Sequence, residues 1–235
     1  MRVTLPINEV LAATPRAVVL RLGLDRLSFD YRSGQAVLVG STGQLLKRPY
    51  SIAIAPHESR ALSVLELLVG LDAGGSPGSH LPVLTRGTPV EVEGPIGSFQ
   101  LPLQPHARRF LFLAGGTGIA PLRAMLHEAL WTHPHARFDV LYSARSPDEF
   151  AYGDELAALA AQGRIALLQT VTRPGERPWT GERGRITSEH VADMVDADAL
   201  CFVCGPHTFV EAMLPLLGGA GVAADRIRVE DWGTG

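Results

Sequence analysis

Apolar and polar positions keep two different rhythms along this chain. From Met1 to about Gln104, short apolar or alternating runs are closed by Gly, Pro and Asp. Ala17–Leu24, Ala36–Val39, Tyr50–Ala55, Leu62–Leu71 and Pro89–Glu93 read as strands of ordinary length. Leu5–Ala13 is too short for a helix and is followed by Pro15, so it is assigned to no element. Regular strands separated by turn signals, with no helix among them, predict a small antiparallel β-barrel.

The rhythm then changes. Arg109–Ala114 reads as a strand entering a glycine-rich turn, and Leu122, Met125, Leu126, Ala129 and Leu130 follow at helical spacing. Pro121 suits the first position of that helix. Asp139–Ser143 is the next strand. Ser146-Pro147-Asp148-Glu149 then offers an N-cap, a helix-starting proline and an acid three residues on, predicting one helix to about Ala161. Ile165–Val171, Leu200–Cys204 and Arg226–Glu230 read as strands, Ser188–Val195 and Pro206–Leu217 as helices, with Pro215 kinking or ending the last. Alternating strands and helices predict a doubly wound parallel α/β sheet. The expected division is 1–104 for the barrel and 105–235 for the α/β domain, at the polar turn between Pro102 and Pro105.

Composition narrows the possibilities. The 235 residues are 46% hydrophobic and 19% charged, which supplies ample core and argues against disorder. The net charge is −3 with no basic run, so a nucleic acid or an anionic membrane has no electrostatic support. The most apolar stretch, Phe110–Leu126, is interrupted by Gly115, Gly116, Gly118, Pro121 and Arg123, which excludes a membrane span of about 20 apolar residues. Pro6, Asn8 and Glu9 stand where an export signal needs apolar residues, so a cytoplasmic protein is expected. Two cysteines cannot hold an iron–sulfur cluster or a four-thiolate zinc site. Cys201 and Cys204 form a C-x-x-C, yet residues three apart on a strand face opposite ways, so no disulfide is expected. His133-Pro134-His135 reads as a surface turn, and no metal is expected.

Two segments carry candidate chemistry. In Gly115-Gly116-Thr117-Gly118-Ile119-Ala120-Pro121 a strand delivers the chain to a tight turn and a helix start, where backbone N–H groups suit a pyrophosphate. The spacing departs from G-x-G-x-x-G, and Ser143-Ala144-Arg145 supplies no acid for a ribose. A glycine-rich turn without ligand is the plain alternative. Arg48-Pro49-Tyr50-Ser51 places a cation, an aromatic face and a hydroxyl in four consecutive residues. Arg48 and Tyr50 share one strand face, suited to the phosphate and flat ring of one ligand.

Six segments, in order, resemble the ferredoxin–NADP⁺ reductase superfamily. They are Ser33-Gly34-Gln35-Ala36-Val37, Arg48-Pro49-Tyr50-Ser51 (the R-x-Y-S flavin motif), Gly94-Pro95-Ile96-Gly97-Ser98-Phe99, Gly115–Pro121, Cys204-Gly205-Pro206 and Glu230-Asp231-Trp232. The resemblance implies FAD on the barrel and NAD(P)H on the α/β domain. Arg48 and Pro49 would lie at the flavin pyrophosphate, Tyr50 on the isoalloxazine and Ser51 near its N5 edge. Gly78 and Ser79 fall where the family places phosphate donors; glycine occupies the usual hydroxyl position, which leaves open which of the two donates. Gly115, Gly116, Thr117, Gly118 and Pro121, with Gly205 and Pro206, would bind coenzyme. Cys204 would contact the nicotinamide, and Glu230 and Trp232 belong with Ser51 and Cys204 to the catalytic group. Trp232 would cover the flavin.

Arg145 and Thr172-Arg173 stand at strand ends where NADP⁺-specific members carry phosphate-binding residues, so NADPH is favoured over NADH; Tyr152 is a candidate to stack on adenine. Hydride transfer needs its reacting atoms roughly 3–3.5 Å apart, which puts the site between the two domains. The expected function is an FAD-dependent NAD(P)H reductase passing electrons to a separate acceptor, a ferredoxin or the metal centre of a partner oxidoreductase. Reduction of free flavin, a quinone or another small molecule is the enzymatic alternative, and a non-catalytic flavin-binding protein the alternative from another class.

Overall fold

The computed structural model describes residues 1–103, 107–175 and 178–232. The expected boundary at 104/105 falls on Gln104–His106, outside the described residues.

The N-terminal half forms one antiparallel sheet. Its strands are β1 (Arg2–Thr14), β2 (Ala17–Gly23), β3 (Ala36–Ser41), β4 (Arg48–Ser51), β5 (Val64–Gly70) and β6 (Pro89–Ile96), in the order β4-β3-β6-β1-β2-β5. The edges meet: Ile52 bridges Leu67, and the Ala53 N–H donates to Glu66 O at 2.8 Å. Alternate residues such as Leu5, Ile7, Leu20, Leu22, Val37 and Val39 fill the interior.

Two local readings fail here. Leu5–Ala13 belongs to the long strand β1, because Pro15 lies beyond it in the hairpin turn and breaks nothing. One end of β1 pairs with β6 and the other with β2, with a register shift between Ile7 and Glu9. Between the strands read at Tyr50–Ala55 and Leu62–Leu71, where no helix was expected, a short helix α1 (Pro56–Leu62) intervenes. Pro56 starts it, the Ala55 N–H donates to Glu58 Oε2 at 3.2 Å, and Ser63 ends it in the left-handed region. Only Pro56 and Ser59 of α1 are buried, so no apolar period announces it.

The C-terminal half is a parallel sheet. Strands β7 (Arg109–Gly115), β8 (Arg137–Ala144), β9 (Ala166–Val171), β10 (Glu182–Arg183), β11 (Leu200–Pro206) and β12 (Ile227–Trp232) take the order β10-β9-β8-β7-β11-β12. Helices α2 (Ile119–Thr132) and α3 (Gly153–Ala161), with α4 (Ser188–Ala192) and α5 (His207–Gly219), complete it. Phe112, Cys204 and Phe202 lie in one core with Met125 of α2; Leu113, Cys201 and Val203 lie in another with Met213 of α5. The two cysteines thus point to opposite faces, both buried and neither in a disulfide, and burial pushes the Cys201 thiol up to about 12.

Three helix details differ from the reading. Pro121 is the third residue of α2, still within the first turn, where no intrahelical N–H is needed. Pro147–Glu149 forms only a 3₁₀ turn, because the Ser146 hydroxyl donates to Asp148 Oδ1 at 2.6 Å; Tyr152 then breaks the chain at φ 58° before α3 begins. Helix α5 continues through Pro215 to Gly219. The short edge strand β10 carries no apolar signal, since both its residues are exposed.

Barrel residues Ala17, Val19, Ala53, Leu68, Phe99 and Leu101 share one apolar cluster with α2 and the parallel sheet. A polar cluster lies beside it. The Arg123 guanidinium of α2 donates to Ala53 O at 2.6 Å, to Glu66 Oε1 at 3.3 Å and three times to the Glu155 carboxylate of α3.

Candidate active site

In an open parallel sheet ligands gather where the strand order reverses, outside the carboxyl ends. Here that point lies between β7 and β11. Strand β7 ends in Gly115, a 3₁₀ turn spans Gly116–Gly118, and α2 starts at Ile119. The glycines have different reasons. Gly116 sits at φ +56° with open space around it, a conformation other residues resist. Gly118 lies so close to β11 that a Cβ would stand 2.3 Å from Cys204 O. At Gly205 a Cβ would lie 3.1 Å from Gly115 Cα. The loop is therefore pressed against the Cys204-Gly205-Pro206 segment, and Gly115, Gly116, Thr117 and Pro206 line one crevice of about 360 Å³ with Arg145, Thr172 and Arg16.

Arg145 and Arg173 are both exposed beside this crevice, and the Arg173 N–H donates to Arg145 O at 2.6 Å. The structure thus brings together two arginines from separate strand ends. Tyr152 is elsewhere. Its hydroxyl donates to Glu66 Oε1 at 3.1 Å, and its ring lies 4.6 Å from Arg123, so it serves the contact between the halves and is not placed to stack on adenine.

Between barrel and crevice runs a slot of about 200 Å³ lined by Pro49, Tyr50, Ser51, Leu68, Thr117 and Ala120. One wall is β4 and β5 and the other is the start of α2. Arg48 is exposed at the outer end of β4 and Ser51 buried at its inner end. The Ser51 hydroxyl donates to Glu230 Oε2 at 3.1 Å, across 179 positions of sequence. Cys204 Sγ lies 3.9 Å from the same oxygen. Cys204 and Glu230 are direct partners in the parallel pairing of β11 with β12, so their side chains share a face. Of the four residues expected as the catalytic group, Ser51, Cys204 and Glu230 converge.

Burial pushes the Glu230 carboxyl up to about 7, against the opposing hydrogen bond from Ser51. A carboxyl whose folded pKa is raised contributes stability that is complete below its unfolded value and is lost as pH rises through about 7. Glu230→Gln is therefore expected to flatten the fall in melting temperature between pH 5 and 8. A variant whose pH profile parallels the wild type would refute the assignment.

The loop 74–84 lines a cavity of about 520 Å³ with Val10, Val18 and Leu71. Gly78 takes φ +95°, and its N–H already donates to Ser76 Oγ at 3.0 Å, whereas Ser79 is exposed. The sequence reading missed His80. It is buried, with Nε2 2.6 Å from the Tyr50 hydroxyl. A histidine next to a glycine-rich loop was the available signal, but nothing local distinguishes it from the exposed histidines. Trp232 pairs through its backbone with Pro206 at the end of β12; its side chain lies outside the described residues, as do 233–235.

The residues fit a flavin and a nicotinamide nucleotide: an apolar slot walled by an aromatic ring meets a crevice floored by a bare glycine turn. Residues 3–101 match the oxidoreductase FAD-binding domain family and residues 112–214 the oxidoreductase NAD-binding domain family. Over 219 residues the chain is 33% identical to ferredoxin–NADP reductase B of Sorangium cellulosum, spanning 88% of this chain and 87% of that one. This chain belongs to the ferredoxin–NADP⁺ reductase superfamily.

The reductase is thus an oxidoreductase that binds FAD and NAD(P). It is also 29% identical over 214 residues to the glycine betaine monooxygenase reductase subunit of Pseudomonas aeruginosa, of which it spans 57%. It spans 59% of the stachydrine N-demethylase reductase subunit of Rhizobium meliloti, at 30% identity. Its fold is that of an Amycolatopsis cytochrome P450 reductase, with TM-score 0.86 and 24% identity over 100% of this chain and 70% of that one. Among the described residues no helix of the reductase is long and apolar enough to cross a membrane.

Proposed function

We propose that this reductase uses NADPH as electron donor and FAD as its bound cofactor, and serves a separate redox protein, a ferredoxin or the metal centre of a partner oxidoreductase. When bound, the flavin supplies the exchange between two-electron and one-electron chemistry; the chain supplies binding, orientation and electrostatics. The observation that carries the reading is the meeting of Ser51 from the barrel with Cys204 and Glu230 from the parallel sheet, where slot and crevice join. Arg48 would neutralise the flavin pyrophosphate and Tyr50 would stack on its ring, with Pro49 holding the strand edge and Ser79 donating beside Gly78. Gly115, Gly116, Thr117 and Gly118 would present backbone N–H groups to the coenzyme, with Pro121 in the helix turn behind them. Pro206 lines the opposite side of the crevice, and Gly205, packed against Gly115, would keep the two segments close enough to hold the coenzyme between them. Cys204 would contact the nicotinamide. Glu230, with its carboxyl titrating near pH 7, would hold a proton on the carboxyl beside Ser51 Oγ. Trp232, by family resemblance, would cover the flavin until the coenzyme displaces it. Named relatives that are reductase subunits of a monooxygenase and a demethylase support the protein acceptor.

The direct test is anaerobic addition of NADPH to the FAD-loaded protein. Loss of the visible flavin absorbance, restored by oxidised ferredoxin more readily than by a quinone, is expected; absorbance unmoved by either coenzyme overturns the reading. Coenzyme choice is tested separately. Each charge-assisted contact to a phosphate is worth about 1.5–3 kcal/mol. Joint replacement of Arg145 and Arg173 by Ala is therefore expected to weaken NADPH at least about tenfold and NADH less than about twofold. Equal losses for both coenzymes would remove these arginines from the 2′-phosphate.

A further inference from the structure

Among the described residues His80 is a buried polar side chain to which the proposed function gives no role. It is 1% exposed. Its carbonyl accepts from the Ser41 N–H at 2.7 Å and from the Ser41 hydroxyl at 3.3 Å, which pins it to the end of β3, the neighbour of β4. Its ring lies nearly parallel to that of Tyr50, at 19° with centroids 5.8 Å apart, and its Nε2 is 2.6 Å from the Tyr50 hydroxyl. Its other nitrogen, Nδ1, is buried and has no hydrogen-bond partner among the described residues.

Gly78 belongs to the same unit. A Cβ there would stand 3.2 Å from His80 Nδ1 and 3.4 Å from Cε1. The imidazole occupies the space into which a side chain at 78 would project, and that explains why glycine replaces the hydroxyl residue that the family carries at this point.

The proton's place follows from donor accounting. Burial and then the nearby Arg48 lower the His80 pKa, so the ring is neutral and carries one N–H. Placed on Nδ1, that N–H would be a buried donor without an acceptor, a much rarer state than an under-used acceptor. Placed on Nε2, it meets the Tyr50 oxygen. Burial holds the Tyr50 hydroxyl up at about 12, so it keeps its own hydrogen. With its oxygen already accepting from His80, that hydrogen must find an acceptor elsewhere, and Tyr50 lines the slot.

We propose that His80 is a positioning residue that donates Nε2–H to Tyr50 and thereby fixes the Tyr50 hydroxyl as a hydrogen-bond donor into the slot, toward an oxygen of the bound flavin. The proposal rests on the flavin reading for its ligand only. It specifies one residue beyond the R-x-Y-S motif that sets the chemical sense of Tyr50, donor rather than acceptor.

Two measurements test it on the full chain. The first needs no flavin: ¹⁵N spectra of histidine-labelled protein, with His80 assigned by its absence in His80→Gln, are expected to show Nε2 protonated and Nδ1 bare. A proton on Nδ1 overturns the proposal. The second is the FAD dissociation constant from quenching of flavin fluorescence. His80→Phe and Tyr50→Phe are each expected to weaken FAD about three- to tenfold, the worth of one neutral hydrogen bond, and the double variant no further than the worse single one. His80→Gln, whose amide N–H also reaches Tyr50, is expected to stay within about twofold of wild type. Unchanged affinity in Tyr50→Phe, or losses that multiply in the double variant, also overturns it. A wild-type protein that binds no FAD would instead sink the flavin reading and leave the ¹⁵N result to stand by itself.

Discussion

Arg123→Ala is expected to cost about 3–5 kcal/mol of folding stability, the usual penalty for removing one partner of a buried ion pair. That is a large fraction of a total of about 5–15 kcal/mol for a natural protein. Arg123 is 8% exposed and Glu66 1% exposed. Removing the guanidinium leaves the Glu66 and Glu155 carboxylates facing one another, with only Arg21 Nε, 2.7 Å from Glu66 Oε2, as a nearby cation for the first. It also orphans Ala53 O, which joins barrel to helix. The loss falls on cohesion between the halves, because Ala53 and Glu66 come from the barrel and Arg123 and Glu155 from α2 and α3. Urea unfolding should show it as a lower midpoint, and an unfolding free energy within about 1 kcal/mol of wild type would contradict the account.

The same cluster carries a pH dependence through His127. Its Nδ1 is 2.7 Å from Glu58 Oε1, and its Nε2 bonds Glu155. Burial disfavours the charged ring, but these two carboxylates outweigh burial and raise the His127 pKa above its ordinary 6.5. A histidine with a raised folded pKa contributes stability that is complete below 6.5 and lost as pH rises through the raised value. The gap in melting temperature between wild type and His127→Gln should therefore narrow from pH 6 toward pH 9. A gap independent of pH would show that the ring acts by packing alone.

Gly118→Ala is expected to remove coenzyme binding. Gly118 has φ −60°, which alanine adopts freely, so the effect comes from contact alone. The new methyl would stand 2.3 Å from Cys204 O and 2.5 Å from Cys204 C, both backbone atoms with no rotamer to yield. Overpacking of this kind costs typically about 1–3 kcal/mol, and here relief means lifting the loop off β11. The displaced N–H groups no longer converge on one anion, and NADP⁺ affinity should fall at least about tenfold. Gly116→Ala is the control, strained at φ +56° but meeting nothing within 4 Å. It should lose about 1–2 kcal/mol of stability with a smaller effect on affinity. Wild-type affinity in Gly118→Ala would show that the loop accommodates bulk against β11.

Much of this reductase can be read along the chain because the responsible physics is local. Period-two and helical spacing separate the barrel from the parallel sheet. A glycine turn after Ala114 states its own backbone chemistry, and Cys201 and Cys204 face apart because a strand alternates. Where local preference met competition, reading failed: Ser146 satisfied Asp148 and the helix start was delayed to Gly153. Only the tertiary structure decided that His80 lies against Tyr50 beneath a bare Gly78, and that Tyr152 turns to Glu66 and away from the crevice. Each of these depends on burial beside a particular partner far away in sequence. A buried charge or N–H takes its pKa, its tautomer and its energetic worth from that partner, and nothing in the flanking residues states which partner it will be.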